Sequence, residues 1–195
     1  RETLLARYIF FNHPLFEKFR NNILEIPHTL KYFLRPGEDH GEGTTIEGGD
    51  VMVVSSNHVL IGCSERTSAS GASEAIKLLF GNHVVEKVTV VKIPPKRDFM
   101  HIDTVFTQVN HNTWVVLGSI SSQEYNKGSE AVDYLSEKRN KEKPIIVQFE
   151  KGKMQEPRTF NSLEALLDDI SKNDLGSEAE TQFIYSGNNV FPFDV

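Results

Sequence analysis

Two short apolar stretches that double back on themselves constrain this chain more than any other feature. Asp50–Val54 and His58–Cys63 flank the polar turn Ser55-Ser56-Asn57, and Asp103–Val109 and Trp114–Leu117 flank Asn110-His111-Asn112. Strand-forming runs on either side of a polar turn read as β-hairpins. After the first hairpin comes a helical stretch to Phe80, capped by Ser73 or starting nearer Ser70, with Gly81 as its stop. Lys87–Ile93 then alternates in the strand manner until Pro94-Pro95 ends it. After the second hairpin come a helical stretch near Gly128–Arg139 and a strand at Ile145–Phe149. The order hairpin, helix, strand thus recurs without sequence identity between copies, which predicts an α/β fold of repeated units.

The remaining segments are read more simply. Residues 2–10 place Leu4, Leu5, Tyr8 and Ile9 on one helical face, and Asn12-His13-Pro14 interrupts the pattern. A strand is expected around Ile23–Ile26, followed by a polar loop from Pro36 to Thr45. Asn161 with Glu164 three residues on suggests a capped helix start, and Leu163, Leu166, Leu167 and Ile170 give that helix one apolar face. Gln182–Tyr185 reads as a closing strand. The charge-rich stretches 121–143 and 150–180 read as insertions forming solvated surface.

Composition narrows the function classes. A hydrophobic fraction of 38% and a charged fraction of 25% are those of a globular protein, so disorder is not the default. The net charge of −6 argues against a nucleic-acid or anionic-membrane surface, while leaving a small cationic substrate open. No apolar run approaches the roughly 20 residues that span a bilayer, and no leader resembles a signal peptide. Cys63 is the one cysteine, so an internal disulfide and a cysteine-rich zinc site are out of reach and a reducing cytoplasm is the natural setting. The chain begins at Arg1 and ends at Phe193-Asp194-Val195, which reads as an excised internal segment.

Two clusters can carry chemistry: Glu47-Gly48-Gly49-Asp50 at the entry to one strand and His101-Ile102-Asp103-Thr104 at the entry to another. In extended backbone His101 and Asp103 point to the same face. The paired glycines permit tight turns or close backbone approach, and they space two carboxylates at a sheet rim. If the two strands are neighbours, a histidine and three carboxylates converge. Ionised carboxylates only accept hydrogen bonds, so several on one pocket suit a planar cation with many donors, such as a guanidinium. A histidine titrating near neutrality can move the protons. The same side chains could instead hold a divalent metal, a reading put second because no second histidine stands at short ligand spacing. Taken singly, Gly-Gly-Asp is a common turn and His-x-Asp a common self-satisfied pair.

Taken together the segments resemble a known family. Arg1-Glu2-Thr3-Leu4-Leu5, Ile46-Glu47-Gly48-Gly49-Asp50-Val51-Met52, Ile61-Gly62-Cys63-Ser64-Glu65-Arg66-Thr67 and Phe99-Met100-His101-Ile102-Asp103-Thr104-Val105-Phe106 stand in the order seen in arginine deiminases. The resemblance is continuous from Arg1 to about Gly118, weakens from Ser119 to Glu180, and returns over Ser186–Val195. It implies a single, incomplete domain of the pentein fold, a five-bladed α/β propeller of hairpin–helix–strand units. It also implies a hydrolase that converts free arginine to citrulline and ammonia through a covalent cysteine intermediate, with no cofactor and no metal.

By motif, the resemblance makes Glu47 the acidic partner that orients His101, and His101 the general acid and base. Asp103 would bind the substrate guanidinium, with Asp50 beside it as a second substrate-side carboxylate. Arg66 would clamp the α-carboxylate. The family's nucleophile lies in a glycine-rich segment beyond Val195, a further guanidinium-binding aspartate lies upstream of Arg1, and a second carboxylate-binding arginine stands just before Arg1, so the piece alone is expected to be inactive. Cys63 lies in the strand leading to Arg66, where the family holds no nucleophile, and is expected to pack as a small hydrophobe. Relatives acting on agmatine or another guanidino compound, and a non-enzymatic pentein binding module, are the alternatives. Faces left uncovered by missing blades are expected to drive self-association into a homo-oligomer.

Overall fold

Both hairpins form, and the helix ahead of them forms too. The structure is a computed structural model that describes residues 2–26, 43–94, 99–120 and 144–186. Helix α1 (Glu2–Asn12) carries the expected apolar face, with Leu4, Leu5 and Tyr8 exposed. The break falls at His13-Pro14. His13 Nδ1 accepts from the Leu15 N–H (3.2 Å) and Pro14, whose missing N–H costs nothing there, opens a 3-10 helix to Asn22. The strand expected at 23–26 does not form. Among the described residues no strand pairs with this segment, and extended backbone without a ladder partner is not a strand.

Strand β1 (Val51–Ser55) pairs antiparallel with β2 (His58–Cys63), setting Val51 against Ile61. The chain then crosses over through α2 (Ala69–Gly81) and returns as β3 (Lys87–Lys92), parallel to β2. Helix α2 starts at Ser68, not at Ser73, which lies inside it: Ser68 Oγ accepts from the Gly71 N–H at 3.0 Å. The small residues Ala69-Ser70-Gly71 let this helix end approach the Thr45 carbonyl, which a Cβ at Gly71 would strike. Val59, Ile61 and Cys63 of β2 pack with Ala72, Ala75 and Ile76 of α2.

The second unit departs from the expected order. β4 (Phe106–Asn110) pairs antiparallel with β5 (Thr113–Leu117) as predicted. However, β6 (Ile145–Glu150) does not close this unit. It lies antiparallel to β3 and extends the first sheet, followed by β7 (Arg158–Phe160). The free edge of β3 is thereby covered, as a buried edge requires. Helix α3 (Leu163–Asp169), with one π turn over Ile170–Asp174, leads to β8 (Gln182–Ser186), which closes the second unit parallel to β5. The two sheets therefore order as β1-β2-β3-β6-β7 and β4-β5-β8. The cap of α3 is Ser162, whose hydroxyl accepts from the Ala165 N–H at 3.1 Å, one residue past the Asn161 expected. Within 150–180, expected as surface decoration, Leu163, Leu166, Leu167 and Ile170 are fully buried in the main core with Leu60, Val91, Trp114 and Val116. The stretch 121–143, including the helix expected near Gly128–Arg139, lies outside the described residues.

A buried polar relay fastens α3's π turn to the first sheet. His58 is fully buried, with Nδ1 2.8 Å from Asp174 and Nε2 2.8 Å from Thr89 Oγ1. Lys87 Nζ reaches Asp174 at 2.5 Å, and Gln148 Nε2 donates to Thr89 at 3.2 Å. Among the described residues no helix is long and apolar enough to cross a membrane. What positions the site is simpler: each hairpin is entered through a 3-10 turn, Gly48–Asp50 before β1 and Ile102–Thr104 before β4, and the two turns pack on each other.

Candidate active site

The two entry turns bring the predicted residues to one rim. Glu47 is extended (φ −117°, ψ 149°) and precedes the first turn, with its N–H held by Thr67 Oγ1 at 3.0 Å. His101 is extended as well (φ −156°, ψ 170°), but Ile102–Thr104 is a 3-10 turn and not a strand. His101 and Asp103 meet through that turn: His101 Nδ1 bonds Asp103 Oδ1. Thr104 locks the turn by donating both N–H (3.2 Å) and hydroxyl (2.6 Å) to the His101 carbonyl.

The two glycines serve different ends. Nothing lies within 4 Å of a Cβ built at Gly48, whereas one at Gly49 would sit inside the His101 imidazole. Gly49 therefore lets the backbone of the first turn lie against the ring of His101, and this contact fixes the closeness of the two clusters.

Arg66 faces Glu47 across the rim, Nη1 to Oε2 at 3.8 Å, with both side chains about half exposed. Its Nη2 stands 3.9 Å from Met100 Sδ, beside His101 in sequence. The structure thus gives His101 Nδ1 to Asp103 and the Glu47 carboxylate to Arg66, whereas Glu47 was expected to support His101 directly. An exposed pair at 3.8 Å contributes little to stability, so this partnership is easily exchanged.

Asp50 differs most from expectation. Expected beside the substrate, it is fully buried, Oδ1 accepting from the Ile102 N–H (3.0 Å) and Oδ2 from the Ser64 hydroxyl (2.6 Å). Ser64 in turn accepts from the N–H groups of Arg66 (3.0 Å) and Thr67 (3.2 Å). Sequence reasoning gave Ser64 and Thr67 no role. Their signal was present, since a serine followed two and three residues on by free amides is a hydroxyl-closed turn.

Cys63 is buried in the apolar cluster under α2. Burial, reinforced by the Asp50 carboxylate, pushes its thiol above the ordinary range, away from the thiolate a nucleophile needs. Among the described residues no group of three or more His, Cys, Asp or Glu side chains could hold a metal ion.

A histidine, two half-exposed carboxylates and an arginine thus meet on one rim. The chain is a member of the arginine deiminase family, whose model matches residues 1–190. The arginine deiminase of Clostridium perfringens is 42% identical over 118 residues, 60% of this chain and 25% of that protein. That of Bacillus cereus is 31% identical over 156 residues, 80% of this chain and 34% of that protein. The chain thus spans about a quarter to a third of the length of such relatives. Among solved structures, the DDAH of Pseudomonas aeruginosa, a cysteine-to-serine mutant complexed with citrulline, matches at 21% identity and a TM-score of 0.32. That match covers 74% of this chain and 49% of that one.

Proposed function

We propose that this chain supplies the proton-handling and substrate-holding part of a hydrolase that deiminates free L-arginine to L-citrulline and ammonia, within a five-bladed propeller. The observation that carries this reading is the arrangement of four ionisable side chains as two pairs on one rim, Glu47 with Arg66 and His101 with Asp103. Arginine complements both pairs at once. Its guanidinium is a better partner for Asp103 than the imidazole is, and its α-carboxylate can take Arg66 in bidentate fashion. Each exchange releases a group that the chemistry uses: Asp103 leaves Nδ1, and Glu47, freed from Arg66, can turn to support the imidazole.

The reaction then balances without a cofactor. A cysteine thiolate attacks the guanidinium carbon, forming the C–S bond, and His101 protonates the departing ammonia. His101 next takes a proton from water, which attacks the same carbon, and cleavage of the C–S bond returns the thiolate and releases citrulline. Buried Cys63 is not this thiolate, so the nucleophile comes from outside these 195 residues. A single, packed thiol suits a cytoplasmic setting, and the exposed apolar face of α1 suits self-association.

The test compares arginine with agmatine, which lacks the α-carboxylate, in a protein that joins this chain to the family's upstream segment and its cysteine-bearing downstream segment. Arg66→Ala should cost arginine about 2 kcal/mol or more, roughly 30-fold in kcat/KM. Agmatine should change little. An equal fall for both would make Arg66 a structural residue and remove the case for free arginine.

A further inference from the structure

The buried carboxylate of Asp50 grips both loops that carry the site. Oδ1 takes the Ile102 N–H, in the turn that presents His101 and Asp103. Oδ2 takes the Ser64 hydroxyl, in the loop that presents Arg66. Its own N–H is bound to the Glu47 carbonyl at 3.1 Å, which ties in the segment that carries Glu47. Gly62 leaves the space: a Cβ there would collide with Asp50 Oδ1 and come within 2.7 Å of Ile102 Cγ2.

Proton accounting shows why this residue is an aspartate. A serine oxygen has two acceptor sites, and Ser64 Oγ spends them on the amides of Arg66 and Thr67. Its own proton must therefore go outward, to a group that only accepts. The Ile102 N–H makes the same demand from the other side. A carboxylate offers two acceptor oxygens and no proton to place, while an asparagine would aim an NH2 at an oxygen already saturated. Burying a charge is costly unless it is fully hydrogen-bonded, and here both oxygens are engaged.

We infer that Asp50 is a positioning residue that never touches substrate, one oxygen setting the proton-transfer turn 101–104 and the other setting the Arg66 loop. The inference rests on the deiminase reading for its consequences in catalysis, but its geometry stands without it. The two arms are separable. The Ser64 arm governs how the α-carboxylate is held, so its loss appears in KM. The Ile102 arm governs where His101 stands, so its loss appears in kcat.

Amide hydrogen exchange by NMR on the 195-residue chain tests the geometry directly. Ser64→Ala should raise exchange at Arg66 and Thr67 about tenfold and leave Ile102 and the β3 amides unchanged. Asp50→Asn, which keeps one carbonyl oxygen for Ile102, should do the same. Asp50→Ala should free all three amides. In the protein completed with the family's upstream and cysteine-bearing segments, Ser64→Ala and Asp50→Asn should raise KM for arginine about tenfold, with kcat held and agmatine untouched. Asp50→Ala should also lower kcat about 100-fold. Unchanged exchange at Ile102, Arg66 and Thr67 in Asp50→Asn and Asp50→Ala would overturn the inference. An equal loss on arginine and agmatine in Asp50→Asn with a silent Ser64→Ala would overturn it too, because a substrate ligand behaves that way. If Asp50→Ala does not fold, the other two variants still decide. The expected exchange pattern in a chain whose completed parent lacks deiminase activity would uphold the hub and sink the deiminase reading instead.

Discussion

Adding a single methyl group at Gly49 should separate activity from stability. A Cβ built there would overlap His101 Nδ1 and stand 2.6 Å from Cγ, where ordinary contact begins at 3.4 Å, so the ring must retreat by about 1 Å. The first turn cannot retreat instead. Its end is pinned by the buried Asp50 carboxylate, and its start by the bond from the Glu47 N–H to Thr67. His101 has somewhere to go, because its side chain is 20% exposed, and swinging outward breaks its bond to Asp103. Leaving a preferred rotamer costs about 0.5–1.5 kcal/mol, so the thermal midpoint should fall by only a few degrees. A displacement approaching 1 Å in a proton-transfer group is another matter, costing about 100-fold in turnover. Gly48→Ala is the control, since a Cβ there meets nothing within 4 Å and neither glycine has a positive φ. The assay is citrulline release by the completed enzyme, with a melt of each variant and the His101 ring resonances of the 195-residue chain. Gly49→Ala with near-parental kcat, or with unmoved His101 resonances, would refute the reasoning. Equal damage in Gly48→Ala would refute it as well.

Three further outcomes follow from the packing. Asp174→Asn should destabilise the chain by about 3 kcal/mol in urea titrations at neutral pH, because it breaks a buried partnership with His58 and Lys87. Although burial alone would raise the Asp174 carboxyl, bonds from His58 and Lys87 outweigh it and hold the carboxyl below its ordinary value. The gap to the parent should then be complete above about pH 4 and close as pH falls through the folded value; a gap independent of pH would contradict this. Native Cys63 should react with Ellman's reagent far more slowly than in guanidinium chloride, and equal rates would show the thiol is not packed. Leu166→Ala should cost about 2–5 kcal/mol, whereas a surface insertion would lose almost nothing.

Local signals in the sequence read correctly where a residue's neighbours in the chain decide its structure. Both hairpin turns and the apolar face of α3 were legible because alternation and helical spacing are local, whereas Gly81 is the last residue of α2 rather than its stop, the cap being Asn82. The cap of α2 was misplaced because Ser68, Ser70 and Ser73 are equally good by propensity. The approach of Thr45, distant in sequence, decides among them. The destination of β6 was hidden for the same reason, since a strand's partner is chosen by which edge is open. At the site, residue types and their convergence were readable, but pairings were not. Turn aspartates are usually exposed, so nothing in Gly-Gly-Asp announces that Asp50 is buried under the turn that bears His101.

The relay from His58 to Asp174 carries a consequence for how the chain comes to be folded. The two residues are 116 positions apart, so β2 emerges from the ribosome long before the carboxylate that completes it. At roughly 5–20 residues per second, the delay is about 6–23 s. Through that interval His58 and Thr89 sit in the interior of a nascent sheet without Asp174, and the first unit cannot reach its final stability however well its own hairpin is formed. Such distant closure raises the sequence separation of native contacts, which slows folding. Nascent chains arrested on either side of residue 174 should differ sharply in protease resistance across β2 and β3, although those strands are already complete in both.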